Sequence, residues 1–145
     1  MKAWAPALLA SLALAGLDDA VAGESVGYLY RLHCSGCHGT EGEGSKIGRI
    51  PPFAGIVGHF TASPRGRLYL VHVPGVANAA LQDRETADVL NYVLRKWAIS
   101  DMPKDISDFS AEEVHTLRDI HVDDIAALRH RLAHELAGRG ISINY

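Results

Sequence analysis

The chain has 145 residues, 48% of them hydrophobic, and a formal net charge of −3. This balance is typical of one small globular domain, and it excludes a disordered tail. Because no basic run stands out, charge gives no argument for nucleic acid or an anionic membrane as a partner.

The first 22 residues have the pattern of a secretory signal peptide. A lysine gives a positive start, residues 3–16 are apolar, and the small-residue sequence AVA at 20–22 ends the segment. The alternative is an uncleaved membrane anchor, but the apolar run is well short of the ~20 residues that cross a bilayer. We therefore expect cleavage near Ala22, export to the periplasm and no stable membrane anchor.

After the signal peptide, a short helix is expected over 24–34. Residues 39–66 are rich in Gly and Pro and lack helical periodicity, which predicts a loop. Residues 67–73 fit either a strand or a short helix, and the sequence VPGVANAA that follows is predicted as loop. A loop as long as 39–66 is unusual in a compact domain unless it is functional, and a large buried cofactor would supply the apolar surface that it lacks.

The clearest helix is predicted over 83–98, with Asp83 as its N-cap. Its apolar residues recur with helical spacing and form one face. That face consists of Ala87, Leu90, Val93, Leu94 and Trp97.

Two amphipathic helices are predicted beyond residue 98. Ser110 and Glu113 form a capping-box pattern that opens a helix ending near Asp119. The last helix covers about 122–137 and ends at Gly138. Its apolar face consists of Val122, Ile125, Leu128, Leu132 and Leu136.

Strand signals are nearly absent, so the predicted fold class is all-α. The segment 99–145, which holds the last two helices, is expected either to pack on the preceding domain or to dock a partner. The sequence does not separate these two alternatives.

Both cysteines of the chain lie within the five residues from Cys34 to His38. A disulfide that closes a loop of two residues would add little folding stability. Two thiols followed at once by an imidazole match covalent haem attachment. The thiols of Cys34 and Cys37 would add to the two vinyl groups on one porphyrin edge, and His38 would ligate the iron from one face.

Two other kinds of site compete for these residues, and a chance occurrence of the pattern is a third alternative. A thioredoxin-like pair would need a preceding strand and a βαβ setting, and neither is visible in the sequence. A structural zinc site needs four ligands, whereas Cys34, Cys37 and His38 supply at most three. Covalent haem is the interpretation that uses all three residues.

Over residues 24–98 the chain resembles the class I c-type cytochromes. The sequence YRLHCSGCHGTEGEG resembles their attachment helix and the Gly-rich loop after it, with Tyr30 where the family often has an aromatic residue. PPFAG at 51–55 resembles their Pro-x-Leu-x-Gly loop, and TADVLNYVL at 86–94 resembles their final helix, which crosses the first helix through an aromatic such as Tyr92.

The resemblance implies a small domain at 23–98 that wraps one covalently attached haem c, followed by a helical extension at 99–145 outside the minimal family fold. It also implies that the carbonyl of Pro51 accepts a hydrogen bond from the His38 imidazole and so fixes the ring. The glycines at 39, 42 and 44 would let the backbone lie close to the flat macrocycle and adopt positive φ.

The sixth iron ligand departs from the family pattern. The usual Met slot falls near Ala77 and Asn78, and neither residue ligates iron in the usual way. His72 could reach the distal face from a longer loop, and Met102 could do so if the segment after the long helix folds back. An open or water-filled position is the third alternative.

The function predicted from these residues is electron transfer in the periplasm rather than catalysis. A Met ligand would raise the reduction potential and a His ligand would lower it. The expected partner is a periplasmic dehydrogenase or a terminal oxidase. An open sixth position would instead favour a small-ligand sensor or a peroxidase-like haem enzyme, and a haem-free thiol or zinc protein is the third hypothesis.

Overall fold

The computed structural model describes residues 26–143, and all of the regular structure in this range is helical. The only pairing of the β type within it is an isolated bridge between Ser45 and Ile50. The signal peptide predicted at 1–22 lies outside the described residues. The helices are α1 over 26–33, α2 Ser35–His38, α3 Val57–Phe60, α4 Pro64–His72, α5 Pro74–Ala77, α6 Asp83–Trp97, α7 Ala111–Arg118 and α8 Ile125–Ala137. The predicted all-α class is therefore confirmed.

Helices α1 and α6 pack against each other through aromatic side chains. Tyr30 of α1 is 1% exposed, and its ring centroid lies 5.7 Å from Tyr92 and 4.9 Å from Trp97. At Gly27, an added Cβ would lie 3.8 Å from the Tyr92 hydroxyl, so the two helices are close there. This packing holds α1, which leads into the cysteines, on the long helix.

The predicted loop at 39–66 and the undecided segment at 67–73 differ from the structure. Helix α3 interrupts the loop, and α4 begins at Pro64, where proline is suited to the first helical position because it lacks an N–H. Ser63 caps this helix by accepting a hydrogen bond from the Gly66 N–H. An added Cβ at Gly66 would lie 1.9 Å from the Phe60 carbonyl, so this glycine permits α3 and α4 to meet.

The sequence VPGVANAA, predicted as loop, contains the single turn α5. Pro74 starts this turn just as Pro64 starts α4. In both places a proline within a predicted loop opens a helix.

Helix α6 begins at Asp83, so its N-cap lies one residue before the predicted one. Its N-cap is Gln82 rather than Asp83, and the Gln82 N–H donates to the Glu85 carboxylate at 2.8 Å. The Asp83 carboxylate instead pairs with Arg118 of α7. The predicted apolar face is confirmed, since Ala87, Leu90, Val93 and Leu94 are buried and Trp97 packs against the core.

Helix α7 has its predicted N-cap but not the complete capping box. The Ser110 hydroxyl accepts from the Glu113 N–H at 3.1 Å. The Glu113 carboxylate does not turn back to the cap. It pairs with Arg67 of α4, with Nη2 and Oε2 2.6 Å apart.

Helix α8 begins at Ile125, three residues after the predicted start, because Asp124 caps it by accepting from the Ala127 N–H at 2.8 Å. Gly138 ends it as predicted. Leu128, Leu132 and Leu136 are buried, whereas Val122 and Ile125 are half-buried.

The segment after α6 packs on the earlier helices. Helix α7 contacts α6 and α4, and α8 contacts α4. The buried amide of Asn91 bonds both backbone groups of Phe109, donating to the carbonyl at 2.9 Å and accepting from the N–H at 2.8 Å. The Arg67 guanidinium lies 3.8 Å from the centre of the Phe109 ring. Of the two alternatives for this segment, the structure therefore shows packing on the preceding helices.

Within residues 26–143, none of the helices combines the length and the apolar character needed to span a bilayer.

Candidate functional site

Cys34, Cys37 and His38 lie on one helical turn at the end of α1. The N–H groups of Cys37 and His38 donate to the Cys34 carbonyl at 3.2 and 3.0 Å. Both thiols are free, with Cys34 half-buried and Cys37 exposed. The turn therefore brings together the two sulfur atoms and the imidazole that the sequence pattern singled out.

The Cys34 thiol is not activated as a nucleophile. Burial, with a smaller contribution from Cys37, raises its pKa to about 11. Thiols of disulfide oxidoreductases have lowered pKa values, since the thiolate is the reactive form. This environment therefore disfavours the thioredoxin-like alternative.

The residues that the structure describes also offer no zinc site. No group of three or more His, Cys, Asp or Glu side chains within 26–143 is arranged to hold a metal ion.

The His38 ring is held between Phe53 and Pro51. It stacks on the Phe53 ring with centroids 4.2 Å apart and planes 16° apart. Burial lowers the pKa of His38, and the neighbouring Pro51 carbonyl opposes this by raising it. Nδ1 is buried and does not reach hydrogen-bonding geometry with any group of the described chain, although the Pro51 carbonyl is the polar group near the ring. Nδ1 therefore faces the protein, and Nε2 is the nitrogen left for a metal.

Short backbone contacts fix the loop that carries Pro51. The Gly44 N–H donates to the His38 carbonyl at 2.8 Å, and the Phe53 N–H donates to the Gly42 carbonyl at 2.9 Å. Gly44 has φ 71°, and an added Cβ would lie 2.7 Å from the Pro51 carbonyl oxygen. A side chain at Gly44 would therefore displace Pro51 from His38.

The positive φ expected for Gly39, Gly42 and Gly44 is confirmed. In the described chain, these glycines lie close to side chains and backbone of other residues. An added Cβ at Gly42 would lie 2.9 Å from both the Phe53 and Trp97 rings. These glycines thus let the loop lie against the residues that hold His38.

Phe53 is the residue of this site whose role the sequence reasoning missed. Its ring contacts His38, Tyr30 and Trp97 at centroid distances of 4.2, 6.4 and 5.4 Å. The available signal was a large aromatic residue at the Leu position of the family's loop motif, within a Gly- and Pro-rich loop.

His72 lies at the last position of α4 and is half-buried. Its Nδ1 lies 3.0 Å from the Leu68 carbonyl of the same helix, which makes Nδ1 the donor. If the ring is neutral, Nε2 is then the nitrogen whose lone pair could bind a metal.

Met102 is fixed by its backbone against α3. Its N–H donates to the Ala98 carbonyl at 2.9 Å, and an added Cβ at Gly58 would lie 2.8 Å from the Met102 nitrogen. The neighbouring Asp101 carboxylate accepts from the Gly58 N–H at 2.9 Å. Helix α3 continues from the loop of Phe53, so these contacts tie Met102 to the segment that packs on His38.

The three predicted attachment residues fit a haem in their chemistry. The free thiols, the buried and unpaired Nδ1 of His38, and the adjacent Pro51 carbonyl are what a covalently attached haem with an oriented axial imidazole requires. A separate surface cleft of about 370 Å³ between α4 and α8, lined by Arg65, Leu68 and Arg131 among others, contains none of these residues.

Comparison with known proteins identifies relatives. No protein-family model matches the chain. The chain is similar to a Cytochrome c-552 of Thermus thermophilus, with 36% identity over 129 residues that cover 77% of this chain and 81% of the relative. It is also 36% identical over 103 residues to a second Cytochrome c-552 of Thermus thermophilus, covering 59% of this chain and 78% of that protein.

The longer match reaches beyond the predicted haem domain. It covers 77% of 145 residues, or about 112, so it extends past residue 98. At least part of the 99–145 segment thus has a counterpart in that relative. With this identity over most of both proteins, the chain belongs to the class I c-type cytochromes, and its cofactor is haem c.

Proposed function

We propose that the protein is a periplasmic electron carrier with one covalently attached haem c. The observation that carries this proposal is the single turn on which Cys34, Cys37 and His38 lie, with His38 Nδ1 buried beside Pro51. Haem bound there supplies one-electron iron chemistry. The cytochrome relatives and the pattern of residues 1–22 support the carrier role and the periplasmic location.

Each attachment residue has a proposed role. Each thiol of Cys34 and Cys37 would add to one vinyl group of the haem, with sulfur bonding to one vinyl carbon and the thiol hydrogen passing to the other, so the thioether bonds would form without an oxidant. His38 Nε2 would hold the iron as the proximal ligand. The Pro51 carbonyl accepts the Nδ1 proton, which orients the ring and raises its basicity.

The surrounding aromatic residues would limit access of water to this side of the site. Phe53 covers one face of the His38 ring, and Tyr30 and Trp97 pack behind Phe53. A protein tunes the reduction potential of a haem through a low local dielectric and through ligands held in fixed positions. Electron exchange at an exposed haem edge needs no substrate pocket, and we propose a periplasmic dehydrogenase or terminal oxidase as the partner.

The proposal is tested by voltammetry of the holoprotein, produced with an export signal and a haem-ligation system. We expect a reversible one-electron couple. His38→Ala should remove the low-spin reduced spectrum or prevent the protein from accumulating, whereas His33→Ala, one residue before the cysteine pair, should leave the spectrum unchanged. An unaltered low-spin spectrum in His38→Ala would transfer the proximal role to another residue.

A second candidate function is a small-ligand sensor or peroxidase-like protein with an open sixth position. The observation that favours it is the usual Met slot, which falls near Ala77 and Asn78, two exposed residues without a suitable ligand atom. The two candidate ligands are His72, whose Nδ1 is bonded to the Leu68 carbonyl, and Met102, whose backbone nitrogen lies against α3.

Carbon monoxide binding to the reduced holoprotein separates these arrangements. If His72 ligates, the wild type should resist CO, His72→Ala should bind it readily, and Met102→Leu should behave as wild type. The reverse pattern would assign Met102. Ready CO binding by the wild type, unchanged by either substitution, would establish the open site and favour the second function.

A further inference from the structure

The segment 45–50 forms a closed and strained hairpin at the surface. Ser45 and Ile50 exchange backbone hydrogen bonds of 2.8 and 2.9 Å, and the Gly48 N–H donates to the Ser45 hydroxyl at 3.1 Å. Arg49 has φ 52°, a left-handed backbone conformation that residues other than glycine rarely adopt. The tip of the hairpin, residues 46–49, is thus held in one conformation rather than left as a loose loop.

This 45–50 hairpin exposes one aliphatic side chain between two cations. Ile47 is 100% exposed, and Lys46 and Arg49 are also exposed. Neither cation forms an ion pair with any residue from 26 to 143. The nearby carboxylates are engaged elsewhere, since Glu43 accepts from the Glu41 N–H at 3.0 Å and Glu41 lies 3.9 Å from Lys96.

The hairpin is joined directly to the surroundings of His38. Ile50 precedes Pro51, whose carbonyl lies beside the His38 ring, and Gly44 contacts both the Ile50 and Pro51 carbonyls. A protein bound at the tip would therefore sit at the proximal side of the candidate site.

We propose that the 45–50 hairpin docks the redox partner, which presents an apolar recess for Ile47 bordered by acidic residues that pair with Lys46 and Arg49. This inference rests on the proposed electron-carrier function. Charge complementarity identifies the partner: the chain carries a net charge of −3, yet this tip carries two unpaired positive charges. Surface charges of this kind act mainly on the rate of encounter.

An anionic membrane fits the hairpin less well. Lipid surfaces are typically bound by clusters of about 4–8 basic residues. Two cations and one Ile on a chain of net negative charge fall short of that.

The test uses holoprotein and a gold electrode coated with a mixed monolayer of carboxylate- and methyl-terminated alkanethiols, which stands in for an acidic surface with apolar recesses. Adsorption is measured with a quartz crystal microbalance and electron exchange by voltammetry. We expect Ile47→Ser and the double variant Lys46→Gln/Arg49→Gln to lower both adsorption and exchange rate, the double variant by about tenfold at low ionic strength. Matched controls are Ile99→Ser, also at a strongly exposed Ile, and Lys104→Gln.

A native readout decides whether the tip is the partner surface. Periplasmic extract and membranes of the host should oxidise or reduce the haem of the wild type faster than the haem of the hairpin variants. The control variants should react as fast as the wild type. Equal rates for all proteins would overturn the proposal, as would hairpin-dependent sedimentation with phosphatidylglycerol vesicles. Failure of the proposed carrier function would give a different result. The wild type would then exchange electrons with neither the extract nor the electrode, while its adsorption would still report on the hairpin.

Discussion

At the scale of single residues, the surroundings of His38 depend on side chains and glycines that lie close together only in the folded chain. Phe53 covers one face of the imidazole, and Gly44 lets the Pro51 carbonyl come near Nδ1. Cys34, Cys37 and His38 were predictable because their spacing is local. The stacking of Phe53 was not, because it depends on how the loop returns to α2.

Tyr30 links this site to the core through one partly buried hydrogen bond. Its hydroxyl donates to the Gly39 carbonyl at 2.6 Å. Tyr30→Phe should lower the free energy of unfolding by about 0.5–1.5 kcal/mol, since the hydrogen bond is lost while the ring remains. Denaturant unfolding of the holoprotein measures this, with Tyr28→Phe, at a 57% exposed position, as the control.

The same hydroxyl should make stability depend on alkaline pH. Burial is the main cause that raises the pKa of Tyr30 above its ordinary value of 10.0. Below pH 10 both the folded and unfolded states keep the proton, and above it the unfolded state loses the proton first. The free energy of unfolding should therefore fall as the pH rises above about 10, and less so in Tyr30→Phe. An equal fall in both proteins would contradict this assignment.

Arg49 offers a test of backbone strain in the hairpin. Arg49→Gly should raise the free energy of unfolding by about 1 kcal/mol, because glycine adopts positive φ without a Cβ clash. Arg49→Ala removes the charge but keeps the strain, and it should not stabilise the protein. Equal effects of the two substitutions would show that charge, not conformation, governs stability at this position.

At the scale of elements, a helix was predictable from the sequence where apolar residues recur with helical spacing over a long segment. Helix α6 and the core face of α8 were predicted for that reason. Helices α3, α4 and α5 were obscured because their Gly and Pro residues, such as Pro64 and Gly66, have tertiary or first-turn roles that composition does not reveal. The N-cap prediction for Asp83 was wrong because its carboxylate pairs with Arg118, which lies 35 residues away in the sequence.

Asn91 is expected to be the main polar link between α6 and the segment that follows it. Asn91→Ala would leave the buried N–H and carbonyl of Phe109 without their partner. We expect a loss of roughly 2–3 kcal/mol in the free energy of unfolding. Arg84→Ala on the same helix breaks only an exposed pair with Asp88 and should change stability by less than ~0.5 kcal/mol. A loss near zero for Asn91→Ala would mean that the segment detaches readily.

At the scale of the whole molecule, residues 99–143 complete the core rather than lie beside it. Phe109, Val114, Leu128, Leu132 and Leu136 belong to the same buried cluster as the residues of α6. The sequence predicted a haem domain at 23–98 and an extension at 99–145, but amphipathic periodicity alone could not say what the extension covers.

Truncation tests that division of the chain. A protein ending at residue 98 would expose the faces of α4 and α6 that α7 and α8 cover. We expect it to accumulate poorly as holoprotein and to unfold at lower denaturant concentration than the full chain. If instead the truncated protein unfolds at the same denaturant concentration, residues 23–98 form an independent domain.

The central claim, one haem attached through Cys34 and Cys37, is tested most directly by intact mass spectrometry of the exported protein after acid–acetone extraction. We predict the mass of the processed polypeptide plus a single haem. Cys34→Ala/Cys37→Ala should yield only the mass of the polypeptide. A wild-type mass without haem, or with more than one, would contradict the account.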